Sequence, residues 1–169
     1  MGTIFDLNIT NTEMGKFRSN LGTAHEYIVT GILMRLGFDI SVASVKGGPY
    51  DALIAAFQEG PGSPRHLIRA QVRTVSPGGT LSFVAGRRGG INREYVSGVK
   101  EYVYTTEHND LVVGVDPNKL DLYLVPTIFV EWLGQKSITI RKLQHLKNNW
   151  DMLLNWNPAY QKELFAEIG

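Results

Sequence analysis

Three polar side chains lie on two neighbouring apolar segments of the sequence. Asp51 stands near the start of the apolar run PYDALIAAF (49–57), and Gln71 and Arg73 are two residues apart in RHLIRAQVRTVS (65–76). Together they would supply a catalytic acid, an acceptor oxygen and a cation. The sequence leaves two readings open: a hairpin that presents these groups to one substrate, or a half-buried strand pair whose polar side faces water.

The spacing of apolar residues indicates how these side chains are arranged. Residues 66–75 alternate between apolar and polar, which is typical of a strand with two different faces. One face carries Ile68, Ala70 and Val72, and the other carries Arg69, Gln71 and Arg73. The run after Asp51 is apolar on both faces, which predicts a central strand covered on each side. EGPGSP (59–64) between the two segments has turn chemistry.

The remaining segments predict an α/β fold. A first helix is expected from about Ser19 to Leu36, ended by Gly37. Its apolar stripe consists of Leu21, Ile28, Ile32 and Leu36, widened by Val29 and Leu33, with Glu26 at the edge. Further strands are predicted at 38–45, 81–85, 110–116 and 120–126, and a short extended piece leads into a C-terminal helix within 137–156. We expect one domain, residues 1–169, with a central mixed sheet of about four to five strands flanked by helices.

Composition narrows the class of protein. The chain is 43% hydrophobic and 20% charged, which is typical of a soluble globular protein. It lacks an apolar run of the roughly 20 residues that a membrane-spanning helix needs, so no membrane partner is expected. The N-terminal residues have acids and no apolar signal-peptide core, so a cytoplasmic location is the default expectation. The absence of cysteine excludes disulfides and thiolate metal sites.

The positive charge is concentrated in the middle of the sequence. Net charge is only +1, but residues 62–100 hold seven basic residues against the single acid Glu94. The basic residues are Arg65, Arg69, Arg73, Arg87, Arg88, Arg93 and Lys100. This strip could face phosphates, although a solvated surface would have the same composition.

In their order and spacing, these segments resemble the PD-(D/E)XK nucleases, which include restriction enzymes, archaeal Holliday junction resolvases and one class of intron-encoded homing endonucleases. GTAHEYIVTGILMRLGFDI is similar to the family's first helix with its acid. PYD and AQVRT stand where the family has Asp and then an acid or Gln, an apolar residue and Lys. DLVVGVD…LDLYLVP is similar to a strand pair that ends in Pro in resolvase-like members. The resemblance covers roughly residues 17–130, and each motif alone is weak.

This resemblance implies a metal-dependent DNA endonuclease that uses Mg²⁺, with Mn²⁺ as a substitute. Asp51 and the side-chain carbonyl of Gln71 would bind the cation, because hard cations prefer oxygen ligands. The backbone carbonyl of Val72 would contribute, Glu26 would assist, and Arg73 would stand in the usual Lys position. We expect Glu26, Asp51, Gln71 and Arg73 to converge in one cleft on one side of the sheet.

The resemblance also implies contact with DNA. The residues expected to contact the phosphates are Lys46, Arg69, Arg87, Arg88 and Arg93, three of them in the glycine-rich segment GRRGGINR (86–93). Cleavage of a duplex by a chain this short implies a homodimer or a higher homo-oligomer. EWLGQKSITI (131–140) or the Trp-rich C-terminal segment is the candidate interface.

Two departures from the family pattern keep alternatives open. Gln71 leaves the site one negative charge short, and Arg73 cannot act as a base, because guanidinium keeps its proton at any physiological pH. Lys46 is close enough in sequence to take the place of the family's Lys. The alternatives are a catalytically degraded nuclease fold that binds nucleic acid without cutting it, and an unrelated α/β protein.

Overall fold

The computed structural model of the chain describes residues 7–44, 48–56, 66–86, 101–166 and 168. The sheet elements in chain order are β1 (Asp39–Val42), β2 (Ala52–Ala56), β3 (His66–Thr74), β4 (Thr80–Ser82), β5 (Val84–Gly86), β6 (Glu101–Val103), β7 (Leu111–Val115), β8 (Leu122–Pro126) and β9 (Ser137–Thr139). The helices are α1 (Met14–Arg35), α2 (Thr127–Leu133), a 3₁₀ segment (Ile140–Leu146), α3 (Asp151–Leu154) and α4 (Pro158–Phe165).

The core of the fold is a mixed five-stranded sheet in the order β1-β2-β3-β7-β8. β3 pairs antiparallel with β2 and parallel with β7, and the other neighbours are antiparallel. β7 and β8 are buried along their whole length, as expected of strands covered on both faces. The α/β prediction with a central mixed sheet is therefore confirmed, and β2 and β3 lie beside one another as the site requires.

Helix α1 covers one face of the sheet. The Glu13 carboxylate caps it by accepting from the backbone N–H groups of Gly15 and Lys16 at 2.8 and 3.0 Å. Gly37, at φ +91°, ends it in the left-handed conformation that glycine adopts freely. The helix therefore begins five residues before the predicted Ser19, at Met14.

The buried stripe of α1 differs from the predicted one. His25, Val29 and Leu33 are buried, whereas Leu36 is 48% exposed. Val29 and Leu33 are predicted to widen the stripe, and only His25 is missed, because apolar spacing does not count a histidine. His25 Nδ1 lies 2.7 Å from the Thr74 hydroxyl oxygen, so α1 packs on the face of β3 that carries Thr74 and, by alternation, Val72.

The other face of β3 carries Arg69, Gln71 and Arg73 and is covered by a different part of the chain. Gly114 of β7 is the register partner of Arg73. A Cβ atom at Gly114 would lie 2.9 Å from a methyl carbon of Leu81, so the glycine lets β4 pack closely on this face. Strand β4 is therefore a neighbour of the polar side chains of β3.

The C-terminal region is several short helices rather than the single helix predicted. Asn148, at φ +51°, separates the 3₁₀ segment from α3. Asn157 then caps α4 by accepting from the Tyr160 backbone N–H at 2.8 Å, followed by Pro158 at the first helical position. Among the described residues, no helix is long and apolar enough to cross a membrane.

Candidate active site

Asp51 and Gln71 lie opposite one another where β2 begins and its antiparallel pairing with β3 ends. The register pairs Ala52 with Ala70, which places Asp51 across from Gln71 with both side chains on the same face. Gln71 Nε2 donates to Asp51 Oδ2 at 2.5 Å. The structure thus brings together the acid and the amide that the sequence singled out.

The Asp51 carboxylate also takes the place of a strand partner for Val72. The Val72 backbone N–H donates to Asp51 Oδ2 at 2.8 Å, while the Asp51 backbone N–H donates to the Ala70 carbonyl at 2.8 Å. The regular pairing of β2 with β3 therefore stops here. Because the N–H and C=O of a strand residue point to the same edge, the Val72 carbonyl points to the side on which Asp51 lies.

Arg73 lies two residues further along the same face of β3. Its Nη2 donates to the Val84 carbonyl of β5 at 2.8 Å. Its guanidinium carbon is 5.9 Å from the centre of the Tyr104 ring, a cation–π distance. The guanidinium is therefore held between the Val84 carbonyl and the Tyr104 ring and is not free in solvent.

The electrostatics of the cluster centre on Asp51. Burial raises the pKa of the Asp51 carboxyl above its ordinary value of 3.8. The hydrogen bond from the Val72 N–H, the charge of Arg73 and the hydrogen bond from Gln71 each offset part of that increase in pKa. Because burial still dominates, the ionised carboxylate is incompletely compensated by the protein, and a bound cation would stabilise it.

Glu26 lies half-buried on α1, next to His25. The neighbouring His25 contacts Thr74 at the end of β3, which places this part of α1 against the sheet. Its predicted part in the cluster stays a prediction. Lys46, Arg87, Arg88 and Arg93 lie outside the described residues.

Arg69 has extensive contacts within the protein. Its Nε and Nη2 donate to the Asp110 carboxylate at 3.0 and 2.9 Å, and its Nη groups also reach the carbonyls of Thr106 and Glu107. The hydrogen bonds that Arg69 donates to Asp110, and the negative charge of Asp110, raise the pKa of Arg69. Arg69 thereby fixes the segment before β7, and its contact with DNA stays a prediction.

Sequence reasoning missed a buried amide that supports the start of β2. Asn109 is fully buried, and its Nδ2 donates to the Pro49 carbonyl at 3.2 Å, two residues before Asp51. Its Oδ1 accepts from the Thr127 hydroxyl at 2.5 Å. TTEHND (105–110) reads as an ordinary polar loop, so the sequence carried no signal for this role. Sequence reasoning also missed Tyr104, which directly precedes this segment, because nothing in the sequence pairs it with Arg73.

A mixed sheet in this order, flanked by helices, is a restriction endonuclease-like fold. A solved structure with this fold, the bacterial homing endonuclease I-Ssp6803I, superposes on the chain with a TM-score of 0.61 and 16% sequence identity. The match covers 85% of this chain and 97% of that chain. No family model and no curated protein matches the sequence. The resemblance seen in the sequence is confirmed at the level of the fold.

Proposed function

We propose that the chain is a DNA endonuclease that hydrolyses phosphodiester bonds with the help of a divalent cation. The observation that carries the proposal is the meeting of the Asp51 carboxylate and the Gln71 amide where β2 and β3 diverge. The likeness of the whole fold to a homing endonuclease supports it.

The donor set suits Mg²⁺, or Mn²⁺ in its place. Asp51, the Gln71 side-chain carbonyl and the Val72 backbone carbonyl would hold the cation. Among the described residues, three acids or histidines do not come together in one metal cluster. Mg²⁺ tolerates such a sparse set because it keeps several waters and shares substrate phosphates. When bound, the cation would neutralise charge on the phosphoryl group and activate water.

Arg73 would stabilise the negative charge that develops on the phosphate. A guanidinium fixed in advance by the Val84 carbonyl needs little rearrangement as that charge develops, which is the condition for electrostatic catalysis. Arg73 cannot take a proton from water, because it stays charged at every physiological pH. Glu26 would assist from α1. Lys46 is the candidate for a second positively charged side chain, in place of the family's Lys.

DNA binding would use phosphate contacts from the basic strip. The proposed contacts are Arg69, Arg87, Arg88 and Arg93, together with Lys46, which precedes β2 by six residues in the sequence. Arg69 keeps about a third of its side chain exposed beside Asp110, so it would contact a phosphate only through its outer edge.

A homodimer or higher homo-oligomer would place two such clusters on one duplex. The surface proposed for the second copy is the apolar groove beside Trp132, which is 60% exposed and stacks on Phe165 at 5.7 Å. The groove is lined by Ile128, Trp132, Lys162, Phe165, Ala166 and Ile168. Light scattering should show a change from oligomer to monomer for Trp132→Glu, and an unchanged mass would contradict this interface.

The second candidate function is a nucleic-acid-binding protein with a degraded site. The observation that favours it is Arg73 in the position where the family has Lys. A plasmid-nicking assay with Mg²⁺ and with Mn²⁺, run beside a gel-shift assay in EDTA, separates the two. Nicking that requires the metal supports the endonuclease, and binding without nicking supports the alternative. Neither binding nor nicking would overturn both and favour an unrelated α/β protein.

A further inference from the structure

The guanidinium of Arg73 is held from two directions by one structural unit. β5 and β6 pair antiparallel, with Val84 opposite Val103, so the Val84 carbonyl and Tyr104 belong to the same two-stranded ribbon. The Tyr104 backbone N–H donates to the Phe83 carbonyl at 2.9 Å, which fixes the start of its side chain. Tyr104 as a whole is only 1% exposed. The ribbon therefore presents a rigid acceptor and a rigid ring to Arg73.

We propose that Tyr104 is a positioning residue for Arg73, holding the guanidinium by its ring while the Val84 carbonyl fixes one Nη group. This inference rests on the proposed function, because it deals with how the same cluster is held in place for catalysis. An arginine with several rotatable bonds would otherwise have to be ordered at the moment of reaction, at a cost in side-chain entropy.

The pair of contacts also explains why arginine suits this position in this chain. A planar guanidinium can donate to a carbonyl in its plane and at the same time interact with an aromatic ring. An ammonium group at the end of a lysine has no plane to stack and a shorter reach. Arg73 and Tyr104 would then be one functional unit, and not a damaged copy of the family's Lys.

The charge state of Tyr104 is consistent with this role. Burial raises the pKa of the Tyr104 hydroxyl to about 12, so the side chain is neutral at physiological pH. The charges of Arg73 and Asp51 both act on that hydroxyl, which places Tyr104 within electrostatic reach of the whole cluster.

Kinetics of two Tyr104 variants test the proposal. Tyr104→Phe keeps the ring and should change kcat by less than about threefold, whereas Tyr104→Leu removes the ring and should lower kcat on the order of tenfold with KM unchanged. In an Arg73→Ala background, Tyr104→Leu should have no further effect on kcat. An equal loss of kcat in both backgrounds would overturn the proposal, because Tyr104 would then act without Arg73.

If Tyr104→Leu does not fold, a second variant that keeps the shape of the ring still tests the proposal. Pentafluorophenylalanine in place of Tyr104 keeps a ring of similar size and reverses the charge of its face. It should lower kcat as much as the leucine variant while the melting temperature stays near that of Tyr104→Phe. Activity equal to that of Tyr104→Phe would show that the face of the ring does not hold Arg73.

Nuclear magnetic resonance gives a readout that does not depend on cleavage. With ¹⁵N-labelled arginine, the Arg73 side-chain signal is the one that disappears in Arg73→Lys. It should be shifted by the ring and slow to exchange in the wild type and in Tyr104→Phe, and should move to a free-arginine position in Tyr104→Leu or the fluorinated variant. This result in a protein that cuts no DNA would uphold the positioning role and reject the proposed function. A signal unaffected by loss or fluorination of the ring would reject the positioning role itself.

Discussion

Gln71 donates its side-chain amide to the carboxylate of Asp51 across the point where β2 and β3 stop pairing. The Val72 backbone N–H donates to the same carboxylate oxygen. The Asp51 side chain therefore accepts a hydrogen bond that a backbone carbonyl of a neighbouring strand would otherwise accept. A half-buried acid that accepts these two hydrogen bonds is held at a defined position, and the protein does not fully balance its negative charge.

Arg73 should be the working cation of the cluster. Arg73→Ala should lower the rate of DNA cleavage on the order of 10²-fold, comparable to losing one preorganised electrostatic donor. Arg73→Lys should be neutral or slower than the wild type, because lysine loses the planar contacts with the Val84 carbonyl and Tyr104. Single-turnover cleavage measures both, with the exposed Arg35→Ala as a control. Faster cleavage by the lysine variant would instead indicate that Arg73 replaced a catalytic lysine when an older nuclease site degenerated. If neither change affects the cleavage rate, Arg73 has no catalytic role, and Lys46 is the next residue to test.

Ionised Asp51 should cost stability at neutral pH. Burial raises its folded-state pKa, so the folded protein holds this proton more tightly than the unfolded chain does. The resulting stabilisation is fully present below the ordinary value of 3.8 and is lost as pH rises through the raised pKa. Asp51→Asn cannot ionise, and Gln71 can turn its amide to keep the hydrogen bond.

Melting temperatures measured from about pH 3 to pH 8 check this. The Asn variant should melt above the wild type at neutral pH, and the two should converge in acid. Glu163→Gln, an exposed acid on α4, is the matched control and should follow the wild type throughout. A wild type that melts higher than Asp51→Asn at neutral pH would show that the charged carboxylate stabilises the fold.

The relation between Asp51 and Gln71 could be foreseen from the sequence, because alternation in β3 and the central character of β2 placed their side chains on one face. The position of Tyr104 and the partners of Asn109 could not. Asn109 contacts Pro49, 60 residues away in sequence, and such a contact depends on the packing of the whole domain. The first helix was predicted correctly apart from its start and its buried His25, which apolar spacing does not count. The single C-terminal helix was wrong, because Asn148 adopts a positive φ and separates two short helices.

Asn109 should support the fold and the start of β2 together. Asn109→Ala would leave the Pro49 carbonyl and the Thr127 hydroxyl without their buried partner, at a cost of about 1–3 kcal/mol in unfolding free energy. Urea denaturation measures this, with the exposed Asn118→Ala as the control. Cleavage should fall as well, because Pro49 lies two residues before Asp51. Unchanged stability and activity would show that the buried amide is dispensable.

DNA affinity should depend on the basic segment that follows β5. Phosphate contacts release counterions, so the double variant of Arg87→Ala with Arg88→Ala should bind more weakly and with a smaller salt dependence. Its melting temperature should change little. Arg141 and Lys142 are two exposed basic residues next to each other in sequence, so their double-alanine variant is a matched control. It should bind DNA like the wild type. Equal binding by both double variants would show that the GRRGG segment is only solvated.

The central claim is that a metal-dependent nuclease site is built on Asp51. Its most direct test is the conversion of supercoiled plasmid to nicked or linear DNA in Mg²⁺ by the wild type, Asp51→Asn and Glu163→Gln, each repeated in EDTA. The account predicts cleavage by the wild type and the control variant that EDTA abolishes. It predicts none by Asp51→Asn, although that variant still folds and binds DNA. Cleavage by Asp51→Asn at the rate of the wild type would contradict the account.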